Sequence, residues 1–230
     1  MEDSVVKHAP EAILVTSYGD ADRYGAPQLV RSPELPSYLT YADYLRYEAE
    51  GFFELIRGRL LKMPSPLDRH QAAVGEIFRM AGNHMRSRPR ERRCTVRVAP
   101  YDVRLWRAPD DEQGTVVQPD VCIVCDRSKV ERRGCHGAPD LIVEVLSDGT
   151  RQHDLLTKKI LYEQAGVREY WTVDTQAFQI DQYLPSAQRG PNDEALYASP
   201  REHGLGATVA SVAVPGWTMV VDEVFEELLG

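Results

Sequence analysis

The alternation of apolar and polar residues along the chain predicts short β-strands with helices before, between and after them. Helical spacing is found at residues 40–51, 68–87, 154–165 and 221–229, where Thr40 caps the first helix and Gly166 ends the third. Strands are predicted at 52–63 (a hairpin turning at Arg57 and Gly58), 94–99, 101–106, 116–125, 139–147, 168–174, 178–184, 195–199 and 207–214. The pattern therefore predicts a central mixed sheet flanked by helices, in the mixed α/β (α+β) class.

The first 38 residues differ from the rest of the chain, because they carry scattered Pro and Gly with only weak periodicity. Such a segment is typical of an extended or mobile N-terminal arm. The remaining residues, 39–230, contain no internal repeat and no low-complexity block. We therefore predict an arm over residues 1–38 and a single domain over residues 39–230.

Composition places the chain among globular proteins, with 43% apolar and 27% charged residues. No apolar run approaches the roughly 20 residues that a membrane span needs, and the N-terminus has acids at positions 2 and 3 without a cleavage pattern, so we expect neither a membrane span nor a signal peptide. Four cysteines without a secretion signal fit a reducing cytoplasm, with the thiols unpaired, better than a disulfide scaffold. Whether the protein forms a homodimer is left open.

The net charge of −8 argues against a strongly basic, non-specific nucleic-acid binder, but the charges are unevenly distributed. Residues 86–107 contain eight arginines against only Glu91 and Asp102, whereas residues 174–230 contain nine acids against Arg189 and Arg201. This arginine strip is able to meet a phosphate backbone despite the overall sign. The alternative is a solvated helix end and loop.

Candidate chemistry begins with the stretch "GAPDLIVEVLSDGT", residues 137–150, in which Glu144 interrupts an apolar strand. A buried carboxylate costs several kcal/mol unless it is paired, neutralised or bound to a cation. Asp140, Ile142, Glu144 and Leu146 share one face of this strand, since alternate side chains do so.

A second carboxylate opens another strand, where Pro119 precedes Asp120 just as Pro139 precedes Asp140. If the two strands are neighbours, Asp120 and Glu144 converge, and a cation between them relieves their repulsion. Hard oxygen ligands of this kind suit Mg²⁺ or Mn²⁺. The alternative is an aspartate that caps a turn and a glutamate that is paired with an arginine.

Lys158 supplies a cation near these acids, because it falls in the mostly apolar arc of the helix that follows. Its ammonium is expected to point toward the sheet, with Asp154 one turn earlier as a partner. The alternative is a lysine that reaches solvent from the edge of the packing face. Lys159 lies further round the helix and is a weaker candidate.

Two acids and a lysine in this pattern resemble the PD-(D/E)XK nuclease superfamily. The longer stretches "FFELIRGRLLKMPSP" followed by His70, "VVQPDVCIVCD" and "GAPDLIVEVLSDGTRQHDLLTKKILYEQAGVREYWTVD" are similar to the restriction endonuclease family often called Uma-two. The resemblance covers roughly residues 40–225 and implies a restriction-endonuclease-like mixed sheet flanked by helices. It also implies a Mg²⁺- or Mn²⁺-dependent endonuclease that acts on DNA.

The resemblance assigns catalytic roles to Asp120, Glu144 and Lys158, with Asp120 and Glu144 as metal ligands. One departure is plain: the superfamily places its lysine two residues after the glutamate, where this chain has Leu146. In this family a helix lysine takes its place, and Lys158 is the matching position. Glu54 and His70 match further family positions and are accessory candidates.

Other classes of function stay open. The missing strand lysine and the net charge of −8 favour a catalytically silent binding or assembly module that keeps the fold. A metal-dependent hydrolase of a non-DNA phosphate ester is a third hypothesis. Cys122, Cys125, Cys135 and His136 have spacings that resemble a zinc site, but residues three apart on a strand point to opposite faces, so we expect the strand cysteines to be small core residues.

Overall fold

A computed structural model describes residues 14–17, 26–31, 35–47, 51–90, 94–106, 114–190 and 193–229. Two large mixed sheets lie among these residues. The first contains eight strands in the order β1-β2-β4-β3-β7-β6-β10-β9. These are β1 (Leu14–Ser17), β2 (Gln28–Arg31), β3 (Phe53–Ile56), β4 (Arg59–Lys62), β6 (Val103–Arg104), β7 (Val116–Val117), β9 (Val130–Glu131) and β10 (Gly134–His136).

The second large sheet has six strands in the order β16-β13-β12-β11-β8-β5. They are β5 (Thr95–Val98), β8 (Val121–Val124), β11 (Leu141–Leu146), β12 (Glu169–Asp174), β13 (Gln179–Tyr183) and β16 (Arg201–His203). Two small hairpins complete the described strands: β14 (Pro185–Arg189) with β15 (Ala195–Tyr197), and β17 (Thr208–Ala210) with β18 (Thr218–Val220).

The helices are α1 (Tyr41–Tyr44), α2 (Asp68–Ser87), α3 (Lys159–Ala165), α4 (Val221–Val224) and α5 (Glu226–Leu229), with a 3₁₀ turn at Arg127–Lys129. A π-helical segment, His153–Lys158, leads directly into α3. α2 has the bounds predicted from its periodicity, and Thr40 forms the predicted N-cap of α1. α1 is shorter than the predicted helix over 40–51, of which residues 48–50 lie outside the described residues.

Hydrophobic packing covers both faces of the six-stranded sheet. One face packs against α2 and α4, where Ile77, Val143 and Trp171 are fully buried. The other face packs against α3 and the hairpin of β3 and β4, where Ile142 and Tyr162 are fully buried. Because β11 is covered on both sides, all six of its residues are buried. This strand therefore lies in the middle of the molecule.

The predicted mixed α/β class is confirmed, whereas the N-terminal segment and two of the cysteines differ from expectation. Within the segment predicted as an arm, β1 pairs with β2, β2 pairs with β4, and Leu29 and Val30 of β2 are buried. The division of the chain at residue 38 stays a prediction. Cys94 and Cys125 form a disulfide, so the expectation of unpaired core cysteines is wrong for these two and holds for the buried Cys122 and Cys135. None of the described helices has the length and apolarity to cross a membrane.

Candidate active site

Asp120 and Glu144 lie side by side because β8 and β11 are antiparallel neighbours. Val121 is paired with Val143, so the next positions in register bring the two acids together. The main chain ties them further: the amide of Val145 donates to Asp120 Oδ2 at 2.7 Å, and the amide of Asp120 points at Glu144 Oε2 at 3.4 Å. The convergence predicted from strand alternation is therefore present in the fold.

Lys158 reaches this pair of acids from the π-helical segment. Its Nζ lies 3.1 Å from Glu144 Oε1, 3.0 Å from Glu54 Oε1 and 3.5 Å from Asp154 Oδ1. The side chain is only 3% exposed, so it does not reach solvent as the alternative interpretation required. Burial acts to lower the pKa of Lys158, but Glu144, Glu54 and Asp154 outweigh it and raise the pKa well above its usual value. Lys158 is therefore a permanent cation at neutral pH.

Lys159, the weaker candidate, points elsewhere. Its Nζ pairs with Glu163 at 2.5 Å and lies over the rings of Tyr183 and Tyr197. The neighbouring lysines therefore have separate environments, and Lys158 is the one that lies among the acids.

Glu54 is fully buried on β3 and faces the same cluster. Besides Lys158, it contacts His153 Nε2 at 3.1 Å and accepts a 2.9 Å hydrogen bond from the amide of Gln118. Burial acts to raise the pKa of Glu54, but Lys158, His153 and the Gln118 amide together lower it to about 2. Glu54 is therefore ionised and well compensated.

His70 projects from the first turns of α2 toward Asp120. Its Nε2 lies 3.0 Å from Asp120 Oδ2, while its buried Nδ1 has no hydrogen-bond partner among the described residues. Burial acts to lower the pKa of His70, but the hydrogen bond and the charge of Asp120 outweigh it and raise the pKa. His70 therefore orients Asp120 and retains one ring nitrogen for a further contact.

Glu144 is the least compensated acid of the cluster. Its Oε1 accepts from Lys158 and, at 2.6 Å, from the hydroxyl of Tyr162 on α3. Burial nevertheless raises its pKa well above the usual value, and repulsion from Asp154, Asp120 and Glu54 adds to the effect of burial. One lysine thus faces four carboxylates, so a further positive charge at this position is favourable.

These acids line a cavity of about 610 Å³, which we call the acid cavity. His70, Asp120, Glu144, Asp154 and Lys158 contribute to its wall. Among the residues that the structure describes, no group of three or more His, Cys, Asp or Glu side chains could by itself hold a metal ion. Asp120 and Glu144 fit Mg²⁺ or Mn²⁺ as a pair of hard oxygen donors with excess negative charge, since Mg²⁺ commonly keeps several waters beside one or two carboxylates.

Sequence reasoning missed two members of the cluster and misassigned a third. His153 and Gln118 contact Glu54 across distances of 99 and 64 residues along the chain, which no local pattern reports. Tyr162 lies one helical turn after Lys158, on the side predicted to be mostly apolar, yet its hydroxyl donates to Glu144. Asp140, predicted on the same face as Glu144, accepts hydrogen bonds from the amide of Cys125 and from Arg168.

The arginine strip does not form one free basic face over its described part. Arg88 donates to the carbonyl of Pro215, Arg97 lies over the ring of Tyr101, and Arg104 pairs with Glu131 while lying over Tyr41. Arg92, Arg93 and Arg107 lie outside the described residues. Within the described part, Arg88, Arg97 and Arg104 are therefore committed at least in part to contacts inside the protein.

Comparison with known proteins gives two findings. The sequence model of the Uma2 family, described as "Putative restriction endonuclease", matches residues 41–222. The fold is similar to the crystal structure of a putative nuclease belonging to DUF820 from Anabaena variabilis ATCC 29413, with 18% sequence identity, a TM-score of 0.60, and coverage of 83% of this chain and 99% of that chain. No curated protein matches the chain.

Proposed function

The chain belongs to the Uma2 family of putative restriction endonucleases, and we propose that it is a metal-dependent endonuclease that hydrolyses phosphodiester bonds in DNA. One observation carries the proposal: Asp120 and Glu144 meet at the wall of a cavity, and Lys158 Nζ lies 3.1 Å from Glu144. Two acids and a cation at one point are the groups that phosphodiester hydrolysis needs.

Each residue of the site has a distinct task. Asp120 and Glu144 would hold Mg²⁺ or Mn²⁺, which when bound polarises the phosphate and lowers the pKa of a bound water. Lys158 keeps its proton at neutral pH, so it does not act as a base. It stabilises negative charge that develops on the phosphate, from a water-poor position where such charge is expensive.

Glu54 and His153 hold Lys158 in place rather than meeting the substrate. Glu54 is fully buried and binds both the ammonium and His153, so it fixes the position of Nζ between β3 and β11. His70 holds Asp120 from the other side and directs its buried Nδ1 away from that bond. Glu54 and His70 are therefore the accessory residues of the proposed reaction.

The test is incubation of the purified protein with single-stranded DNA and with plasmid, in Mg²⁺, in Mn²⁺ and in EDTA. Cleavage with metal that disappears in EDTA and in Asp120→Asn supports the endonuclease. Cleavage that is unchanged in EDTA contradicts the metal dependence. Hydrolysis of a small phosphate ester without cleavage of any DNA would assign the site to a different substrate class.

A catalytically silent binding module is the second candidate, and one observation favours it. Lys158 bridges Glu54, Glu144 and Asp154, so part of the acid charge is already neutralised within the protein. Such a network is able to persist as a purely structural ion-pair cluster. DNA binding without cleavage in any metal would decide for this module.

A further inference from the structure

A second cavity, of about 630 Å³, lies beside the acid cavity. We call it the arginine cavity, because Arg57 and Arg59 stand in its wall. Its apolar side is formed by Leu29, Ile56, Leu61 and Leu156. The first three are nearly buried, whereas Leu156 is 54% exposed, so an apolar surface is available to a ligand inside the cavity.

The two cavities are neighbours with opposite charge. Gly149 lines both of them, and His153 lines the arginine cavity while it contacts Glu54 of the acid cavity. Among its described lining residues the arginine cavity has no acid, whereas the acid cavity has Glu54, Asp120, Glu144, Asp148 and Asp154. Beyond Lys158, a polyanion that enters the acid cavity therefore finds further compensating charge on the other side of Gly149.

The backbone at Arg57 gives independent support. Arg57 and Gly58 form the tip of the β3–β4 hairpin with φ of 49° and 75°, a two-residue turn that favours Asn-Gly. A side chain other than Gly, Asn or Asp is unusual at the first of these positions. Within the described part of the chain, the guanidinium of Arg57 makes one hydrogen bond, an exposed one to Gln164 Oε1 at 3.1 Å. A strained arginine with a solvent-exposed head indicates a role for the side chain rather than for the turn.

We infer that the arginine cavity binds an unpaired nucleotide of the substrate strand next to the scissile phosphate. This inference rests on the proposed function. Arg57 and Arg59 contact the phosphate, and the base lies against Leu61 and Leu156. A duplex keeps its bases stacked inside, so only a single-stranded or locally opened substrate can place a base in the cavity.

The spacing of the two cavities fits a short segment of one strand. Arg57 lies in the turn directly after β3, three residues beyond Glu54, which places their backbones at most roughly 10 Å apart. Phosphates along one DNA strand are spaced by about 3.4 Å of axial rise or more. The arginines therefore meet a phosphate about one to three nucleotides from the one that is cleaved.

The test measures binding separately from cleavage. A fluorescent single strand of about 15 nucleotides is titrated with protein in EDTA over a range of salt, and a duplex of the same sequence is compared. The variants are Arg57→Asn, Arg59→Gln and the double variant. Arg132→Gln is the matched control, since Arg132 is an exposed arginine between β9 and β10, and β9 is an edge strand of the same sheet, four strands away from β3.

We expect the double variant to raise Kd for the single strand by about tenfold or more and to reduce the salt slope by roughly 0.7 for each lost phosphate contact. Arg57→Asn should keep or raise Tm, because asparagine tolerates positive φ better than arginine. Arg132→Gln should leave Kd within about twofold. A weakened double variant with an unchanged Tm separates lost binding from lost folding.

Three results would overturn the inference: equal affinity and salt slope in the wild type and the double variant, equally tight binding of the duplex with the same arginine dependence, or no DNA binding by the wild type. The proposed nuclease activity fails separately. Arginine-dependent binding without cleavage in Mg²⁺ or Mn²⁺ would contradict the nuclease activity and support the binding role of the arginine cavity. Cleavage by the double variant at the wild-type rate and affinity would contradict that binding role and support the nuclease activity.

Discussion

Glu144 shows how a carboxylate is retained in a strand that is buried on both faces. Lys158 and the hydroxyl of Tyr162 both bind its Oε1, which satisfies one oxygen with two donors. The pKa of Glu144 is still raised well above its usual value, so these partners do not offset burial and repulsion from the other acids. Glu54 has the opposite balance, although both residues share Lys158.

This difference predicts opposite effects of neutralising the two glutamates. A pKa of about 2 against a usual 4.5 corresponds to a stabilisation on the order of 3 kcal/mol from ionised Glu54. Glu54→Gln should lose about this much at pH 7. The stabilisation is present above the unfolded pKa and disappears as the pH falls from 4.5 toward 2, so urea melts of wild type and variant should converge in acid. A constant difference across that range would contradict the assignment.

Glu144→Gln should leave the stability of the metal-free protein equal or higher. The raised pKa means that ionised Glu144 is unfavourable in the folded state, and Lys158 keeps Glu54 and Asp154 as partners after the change. The gain should be present above the usual pKa of 4.5 and vanish below it, where both states are protonated. A loss of about 3 kcal/mol or more in chemical denaturation would instead identify a structural ion pair.

Lys158→Ala tests the catalytic cation. Loss of a positioned charge of this kind should lower the cleavage rate by on the order of 10²-fold or more. Metal-induced stabilisation should persist, because the ammonium is not a ligand and its removal leaves the acids less compensated. Lys159→Ala is the matched control, since Lys159 pairs with Glu163 away from the acids. Cleavage that survives in Lys158→Ala and is lost in Lys159→Ala would reverse the assignment.

At the scale of elements, local patterns predicted what local forces determine. α2 has its predicted bounds because its buried positions Ala73, Val74, Ile77, Ala81 and Met85 repeat at helical spacing over about three turns. The β3–β4 hairpin was likewise predicted, as were the two strands that form β12 and β13, because apolar runs flank short polar turns. The π-helical segment was not predicted, since a widened turn has no separate sequence pattern.

The candidate site likewise contains contacts that local patterns predicted and contacts that depend on long-range packing. The contact of Asp120 with Glu144 was predictable from strand alternation and one assumed strand pairing. The direction of Lys158 was predictable because it falls in the apolar arc of its helix. The positions of Glu54 and His153 depend on how the eight-stranded sheet packs against the segment before α3, which is a long-range contact. The disulfide of Cys94 and Cys125 depends in the same way on the pairing of β5 with β8.

Glu169 holds the segment after β17 against the six-stranded sheet. Its carboxylate is fully buried and accepts from Trp171 Nε1, Gln182 Nε2, Ser211 Oγ and the amides of Val212 and Ala213. Glu169→Gln replaces an acceptor oxygen by a donor and should cost about 3 kcal/mol or more. Glu202→Gln, at an exposed position on β16, is the control and should leave Tm nearly unchanged in thermal melts. Similar Tm values for the two variants would contradict the anchoring role of Glu169.

At the scale of the whole molecule, the charge distribution matters more than the net charge of −8. Negative charge is concentrated in the acid cavity, where a cation and a phosphate would meet, and the adjacent arginine cavity is positive. A protein that is acidic overall is therefore still able to guide one strand locally while it repels non-specific contact elsewhere. Strong salt dependence of binding is the expected consequence.

Metal binding should stabilise the whole fold, because Asp120 and Glu144 come together only when β8 and β11 are paired. A ligand that binds the folded state alone raises stability by RT ln(1 + [L]/Kd), about 2.7 kcal/mol at a concentration of 100 times Kd. Mg²⁺ or Mn²⁺ should accordingly raise Tm in the wild type, and Asp120→Asn or Glu144→Gln should abolish the rise. Asp222→Asn is the control: it removes an acid of α4 that lies outside the candidate site, so this variant should retain the rise in Tm. An equal rise in Asp120→Asn and Glu144→Gln would place the metal elsewhere, and no rise in the wild type together with DNA binding would favour the silent module.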